Sequence, residues 1–319
     1  MKEILIIGPG GIGGTFAALL ANTGKCNVAL LGRPSPHLEA IKNNGLQIDG
    51  LKKFTARVKV FDSSEAIKAC DVLIVAVKAQ DTDTALTAIK HIEVREFALS
   101  IQNGVIKDTK LTEIFDSKKV VGALAVVAGE RTEPGSICWT YDGGTRIGEL
   151  NGNLSERVTQ FVSLLNQAGL QSEISSEILS ATWTKLVGWA PIGLLASLSG
   201  QNNAGILSNA RLAREYLGMV RELATVATDR KIALIDLGPF HVKTWLGLSD
   251  IEAMSSIMNS SLAQSKSTHS ALQDIQRGAP TELSALLEPL VAEATQCSQP
   301  LTRVNALYAT LIGLEESLI

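Results

Sequence analysis

The chain has 319 residues, 45% of them hydrophobic and 19% charged, with a formal net charge of −3 at pH 7. That length suits two domains of about 150 residues each, with ample apolar material for both cores. The slight negative charge argues against nucleic acid or an anionic membrane as a partner, since either wants a basic face.

Lys2 to Ile7 is a short apolar run rich in β-branched residues and reads as a strand. Gly8-Pro9-Gly10-Gly11-Ile12-Gly13 follows, and Phe16 to Ala21 reads as a helix. Strand, glycine-rich turn and helix form the context in which G-x-G-x-x-G binds a dinucleotide. Gly8 permits the tight turn, Gly10 lets the backbone approach a pyrophosphate, and Gly13 lets the helix pack close to the strand. The helix N-terminus offers N–H groups and partial positive charge to the phosphates. Gly8, Gly10, Gly11 and Gly13 are therefore candidate cofactor-binding residues. The alternative is a turn whose glycines serve packing alone.

Asn27 to Leu31 reads as the second strand, ending in Gly32-Arg33-Pro34-Ser35. An NAD-binding unit carries Asp or Glu here for the ribose 2′-hydroxyl. Arg33 instead can pair with a 2′-phosphate, so NADP(H) is expected over NAD(H). The alternative is a solvated surface arginine. Gly45 to Val60 alternates like a small antiparallel excursion, and Ala66 to Cys70 reads as the end of a short helix. Asp71 to Val77 is a continuous apolar strand, as in parallel sheets. Lys78 stands at its carboxyl end, and a helix then runs to about Ile89. Phe97 to Ile101 is the next strand, with Gln102-Asn103-Gly104 at its end. Lys78 and Asn103 thus sit at strand carboxyl ends, where ligands bind in open α/β sheets. A solvated lysine and a plain Asn-Gly turn are the alternatives.

Val120 to Val127 is a further strand. Gly135 to Tyr141 and Thr145 to Ile147 read as antiparallel strands finishing the sheet, and Leu154 to Ala168 as an amphipathic helix. From Glu173 onward only helices are expected. This divides the chain into a dinucleotide-binding α/β domain, 1–172, and an all-helical domain, 173–319.

The second half opens with a long helical pattern over Ser176 to Ser199. Lys185, Trp189 and Gly193 share one face of it at i, i+4, i+8. Pro191 should kink this helix, which would suit a wall of an interdomain cleft. Arg211 to Leu234 carries a core stripe of Leu212, Tyr216, Val220, Leu223 and Ala227. Asp250 to Leu262 looks helical, and a polar stretch from Ser265 to Ser270 leads into Ala271-Leu272-Gln273-Asp274. Pro280-Thr281-Glu282 precedes a helix from Leu283 to Thr295. Capping by Thr281 or a neighbour, with Glu282 favoured by the helix dipole, is one account of that segment; a role for Glu282 in the active site is the other.

Cys26, Cys70, Cys138 and Cys297 are scattered without a C-x-x-C pair. That suits a reducing cytosol and offers neither a zinc site nor a disulfide framework. His37, His91, His241 and His269 have no metal-ligand spacing. The N-terminus enters a strand at once, without a secretory signal. The most apolar stretch, Leu186 to Leu198, contains Pro191 and is short for a bilayer span. A cytoplasmic protein is expected, with no metal and no membrane partner.

Taken in order, several motifs resemble the ketopantoate reductases (2-dehydropantoate 2-reductases). They are Gly8-x-Gly10-x-x-Gly13, Arg33, Val77-Lys78-Ala79, Gln102-Asn103-Gly104, Trp183-Thr184-Lys185-Leu186, Ser270-x-x-Gln273-Asp274 and Pro280-Thr281-Glu282. The resemblance implies a Rossmann domain followed by an all-α domain like the C-terminal fold of 6-phosphogluconate dehydrogenase. It implies NADPH as cofactor and a small 2-oxo acid as substrate. It also implies Lys185 as general acid, Asn103 and Lys78 near cofactor and substrate, and Ser270 and Glu282 in the substrate site.

The chain departs from the family where the substrate should lie. The family carries asparagines four and eight residues after the lysine; here Trp189 and Gly193 stand there. Its Thr-Glu-Ile-Asp becomes Thr281-Glu282-Leu283-Ser284, and a later Asn-Gly becomes Leu287-Glu288. Two amides are replaced by one large aromatic and one void. A site built to hydrogen-bond a hydroxyl discriminates strongly for it, and this site lacks those groups.

Reducing a 2-oxo acid requires a hydride for the carbonyl carbon and a proton for its oxygen. A lysine on a cleft wall suits the second task, because burial lowers its pKa and its charge meets the developing alkoxide. Three functions follow. The first is NADPH-dependent reduction of 2-dehydropantoate to pantoate, in pantothenate and coenzyme A biosynthesis. The second is reduction of a bulkier or less polar 2-oxo acid stacked on Trp189. The third is a non-catalytic NADP(H)-binding sensor. A homodimer is compatible with the sequence and not required by it.

Overall fold

A computed structural model of the chain describes residues 1–297 and 300–318. It divides into two compact units, Met1–Ile178 and Leu179–Ile319.

The first unit opens with β1 (Lys2–Ile7), α1 (Gly11–Asn22), β2 (Cys26–Leu31) and α2 (Pro36–Asn44). Then come β3 (Leu46–Gly50), β4 (Phe54–Ala56), β5 (Lys59–Phe61), β6 (Ala69–Val75), α3 (Thr82–Ile89), β7 (Glu93–Ser100) and α4 (Ile106–Ile114). The long strands β8 (Val121–Glu133) and β9 (Ser136–Glu149), helix α5 (Glu156–Ala168) and short β10 (Ser172–Ile174) complete it.

The main sheet is parallel throughout, in the order β5-β2-β1-β6-β7. Its central strand serves two cores. Ile4 and Ile6 join Phe16, Leu30 and Phe161 on one face; Leu5 and Ile7 join Leu73, Leu86 and Leu111 on the other. Burial on both faces is why these strands read as unbroken apolar runs. Each such side chain contributes roughly 1.5–3 kcal/mol. Because β2 and β6 flank β1, the strand order reverses there, and the crevice beyond the carboxyl ends of β1, β2 and β6 is the ligand position of an open α/β sheet. A second sheet runs β10-β9-β3-β4, with β8 antiparallel along β9.

Four expectations are corrected. Residues 66–68 form no helix, and Ala69 and Cys70 already belong to β6. The antiparallel excursion is limited to β3 and β4, while β5 pairs parallel with β2 at the edge of the main sheet. Residues 135–147 do not finish that sheet as two strands. From Ser136 on they form one strand, β9, in the second sheet, with register shifts against β8 absorbing its irregularity. Finally, Ser172–Ile174 pairs with Thr145–Ile147 as β10, so residues 173 and 174 are strand where only helix is expected.

In the second unit, α6 (Ile178–Ser199), α7 (Asn203–Leu207) and α8 (Ala210–Asp229) are followed by α9 (Val242–Gly247), α10 (Asp250–Met258) and α11 (Ser261–Gln264). Then come α12 (Ser270–Gln276), α13 (Leu283–Gln296) and α14 (Thr302–Glu316). α6 continues through Pro191 without interruption. Its 22 residues are long and apolar enough to cross a bilayer by composition, unlike the shorter stretch the sequence suggests. Yet 78% of its most apolar window is buried inside the fold, as in the core helix of a globular domain. Tyr216 on α8 donates from its hydroxyl to the Gly188 carbonyl at 3.1 Å, and its ring meets Trp245 edge-on, both rings being fully buried.

Candidate active site

The glycine-rich turn links β1 to α1. Gly8 adopts φ +101°, and a Cβ there would lie 2.9 Å from the Ala76 carbonyl. A side chain on Gly13 would run into the Gly8 carbonyl oxygen, and one on Gly11 into the Gly129 carbonyl oxygen of β8. Gly10 differs: a Cβ there would meet nothing within 4 Å. Gly10 is also the N-cap of α1, with no side chain capping it and no acid in the first turn. The turn is closed where it meets protein and open where a pyrophosphate would approach, which fits a dinucleotide.

His37 braces this turn. Its Nδ1 accepts from the Gly135 N–H at 3.0 Å, so the proton sits on Nε2, which donates to the Pro9 carbonyl at 2.9 Å. The neutral ring thus ties Gly8-Pro9-Gly10 to the β8–β9 hairpin. Burial, aided by the Arg131 charge, holds its pKa below the ordinary 6.5. Sequence spacing carries no sign of this, because the partners lie 28 and 98 residues away.

Arg33 follows β2 and is exposed. Its Nη1 lies 3.5 Å from Asp81 Oδ1, so the guanidinium assigned to a 2′-phosphate already faces a carboxylate. Lys78, also exposed, and Asn103, half-buried, follow the carboxyl ends of β6 and β7. Between them lies a buried amide whose role the sequence does not reveal. Gln102 Nε2 donates to the Val77 carbonyl at 2.8 Å and to Thr82 Oγ1 at 2.7 Å, and its Oε1 accepts from Ser100 Oγ at 2.8 Å. Gln102 thereby fixes the two strand ends that carry Lys78 and Asn103.

In the second unit, α6 holds Lys185 between anchored neighbours. Trp183 is buried under the Arg230 guanidinium, 5.4 Å from its ring centroid. Thr184 is fully buried, and its Oγ1 accepts from the Ile235 N–H at 3.0 Å. Lys185 and Trp189 are half-buried along the same face. Gly193 does not leave the void expected from the sequence. A Cβ there would lie 2.6 Å from His269 Cε1 and 2.9 Å from Leu283 Cδ1, so those side chains already fill the place.

Ser270, exposed, is the first residue of α12, whose N-cap is His269. Glu282 is the N-cap residue of α13, and its side chain does not cap the helix. Thr281 Oγ1 accepts from the Leu283 N–H at 3.1 Å instead, and the Glu282 side chain is half-buried. Ser284, where the resemblance has Asp, donates to Glu315 of α14, which also accepts from the Thr281 N–H at 2.8 Å. The expected site residues therefore fall into two groups. The glycine turn, Arg33, Lys78 and Asn103 lie on the sheet rim; Lys185, Trp189 and Gly193 lie on α6, with His269 and Leu283 tying α12 and α13 to it.

Residues 4–152 match the family described as Ketopantoate reductase PanE/ApbA, and residues 177–315 match its C-terminal counterpart. A 2-dehydropantoate 2-reductase of Pyrococcus horikoshii is 29% identical over 318 residues, covering 99% of this chain and 98% of the relative. The enzyme of that name from Mesorhizobium japonicum is 27% identical, covering 96% of each. The crystal structure of a PanE/ApbA family ketopantoate reductase from Ralstonia eutropha JMP134 shares the fold, with a TM-score of 0.83, 22% identity and 99% coverage of both chains. So does the ternary structure of D-mandelate dehydrogenase with NADH and anilino(oxo)acetate, with a TM-score of 0.85, 20% identity and 99% coverage of both chains. With both halves matched and the dinucleotide turn followed by the Lys185 helix, the chain is a member of the ketopantoate reductase family, a group of nicotinamide-dependent oxidoreductases.

Proposed function

We propose that the protein is a cytoplasmic, NADPH-dependent reductase that converts 2-dehydropantoate to pantoate, a step of pantothenate and coenzyme A biosynthesis. The observation that carries this reading is Lys185, held half-buried on α6 by the buried Trp183 and Thr184. When bound, the nicotinamide supplies the hydride for the carbonyl carbon. Gly8 to Gly13 and the N-terminus of α1 hold the pyrophosphate, Lys78 and Asn103 orient cofactor and substrate, and Arg33 takes the 2′-phosphate. Lys185 gives its Nζ proton to the carbonyl oxygen as that oxygen becomes an alkoxide. Ser270 and Glu282 contribute polar groups to the substrate.

A second reading is a bulkier or less polar 2-oxo acid. It is favoured by Trp189, whose ring packs on His269 with centroids 4.4 Å apart. Substrate-dependent NADPH oxidation, followed by absorbance over a panel containing 2-dehydropantoate and branched and aromatic 2-oxo acids, tests both. Turnover of 2-dehydropantoate above the others upholds the first reading, and preference for another acid the second. No oxidation with any of them leaves the sensor reading in place of both.

Cofactor choice has its own test. Arg33→Ala should raise the KM for NADPH much more than that for NADH; equal effects would remove Arg33 from 2′-phosphate recognition. Asp81→Asn should tighten NADPH binding about two- to fivefold, because an exposed ion pair competing for Arg33 is worth at most about 1 kcal/mol. Fluorescence titration reads this without turnover. An unchanged Kd would mean that Asp81 does not compete.

A further inference from the structure

Three features of the second unit converge on one face of α6. The Trp189 and His269 rings lie with centroids 4.4 Å apart at 40°. The imidazole edge and the Leu283 methyl occupy the place a side chain at 193 would need. His269 itself is 6% exposed. Its Nδ1 accepts from the Ala271 N–H at 3.1 Å, which puts the proton on Nε2. That donor is buried, faces the Trp189 backbone carbonyl and makes no hydrogen bond of normal geometry.

We propose that the Trp189–His269 stack is the specificity wall of the substrate site, with Trp189 touching the substrate and His269 positioning it, and that it selects 2-oxo acids with a flat or branched apolar side chain over hydroxylated ones. This rests on the second reductase reading above, with a bulkier or less polar 2-oxo acid as substrate, and stands against 2-dehydropantoate as the preferred one. Lys185 and Trp189 are one helical turn apart, with Cβ atoms about 5–6 Å from each other. A carbonyl placed at Lys185 therefore brings the adjoining side chain against the indole. A stacked aromatic surface attracts an aryl or alkyl group through area and ring geometry. Gly193 offers no side-chain donor or acceptor, the His269 ring is buried, and the face of the indole offers neither, its one N–H lying in the ring plane, so a hydroxyl pressed against that face loses its water without replacement. The wall also carries no charge at working pH, since burial, helped by the Lys185 charge and opposed by the Trp189 carbonyl, pushes the His269 pKa down to about 3. Gly193 is part of the device, because a larger residue would displace the imidazole that backs the indole.

The test compares kcat/KM for phenylpyruvate, 3-methyl-2-oxobutanoate and 2-dehydropantoate, with NADPH and with NADH, in the natural protein and in Trp189→Asn, His269→Ser, Gly193→Asn and the double variant H269S/G193N. The natural protein should prefer the two apolar acids by about tenfold or more, the scale of a pocket that lacks a partner for one group. In Trp189→Asn and His269→Ser that ratio should fall about tenfold, mainly through a higher KM for the apolar acids. Gly193→Asn alone should lose turnover of all three acids, and H269S/G193N should recover it with the ratio moved toward 2-dehydropantoate. General damage to the fold would lower all substrates together, and thermal melts identify it. An unchanged ratio in folded Trp189→Asn and His269→Ser, or a natural preference for 2-dehydropantoate, overturns the wall while leaving the reductase intact. No oxidation of either cofactor with any acid removes the reductase reading, and the wall with it.

Discussion

Lys185→Ala is expected to lower kcat by about a thousandfold, within the range that a positioned proton donor contributes. The Kd for NADPH should stay nearly unchanged, because the glycine turn and Arg33 belong to the first unit and Lys185 to the second. Lys185→Arg is the sharper variant. Arginine keeps the positive charge and much of the length, and its guanidinium does not give up a proton at neutral pH. If Lys185 acts only by its charge, Lys185→Arg should retain most of the rate. If it delivers the proton, both variants should be similarly slow. The anchors on either side, Trp183 under Arg230 and Thr184 on the Ile235 N–H, keep α6 in place in both cases. Turnover within tenfold of the natural rate in Lys185→Ala would remove the lysine from the chemistry.

The parallel sheet is legible because physics writes it in a simple pattern. β1, β6 and the second half of β7 are buried on both faces, so unbroken apolar runs mark them. Short edge elements carry no such mark. Lys59–Phe61 is three residues long and only half-buried at Val60 and Phe61, and three residues cannot show a period. Residues 66–70 mislead for a related reason: buried Ile67 and Cys70 sit three apart, as on a helix face, although Cys70 already lies in β6. The Gly143-Gly144 pair resembles a break between strands, yet β9 runs through it because register shifts against β8 absorb the irregularity.

The site divides in the same way. Local chemistry exposes the glycine turn, Arg33, Lys78 and Asn103, since each stands at a strand end that composition can locate. Gln102 hides in plain sight within Gln102-Asn103-Gly104, because only folding brings Thr82 and Val77 to its amide. His269 is invisible for a stronger reason. Nothing in the order of residues says that a ring 76 positions beyond Gly193 fills the space that glycine leaves. A departure from a motif looks like a loss when read along the chain; in three dimensions its compensation comes from another helix.

The two buried histidines make acid the protein's weak side. Well above pH 6.5 an unfolded histidine is mostly neutral, and so are His37 and His269 in the folded protein, so neither shifts the balance much. As pH falls below 6.5, the unfolded chain takes up protons that the folded rings refuse, and stability falls. For His269 the window runs from 6.5 down to about 3. At about 1.4 kcal/mol per unit, its full cost is on the order of 5 kcal/mol, comparable to the total stability of many domains. His37 adds in the same direction, and protonating it would also break the Gly135 bond to Nδ1 and loosen the dinucleotide turn. Urea unfolding at pH 6.5 and 4.5 should therefore show a loss of about 2–3 kcal/mol from His269 alone. His269→Gln, which does not titrate, should flatten the curve by that amount, starting from lower stability at neutral pH. Parallel curves for the natural protein and His269→Gln would mean that the ring protonates while the protein is folded, and its sealing behind Trp189 would be wrong.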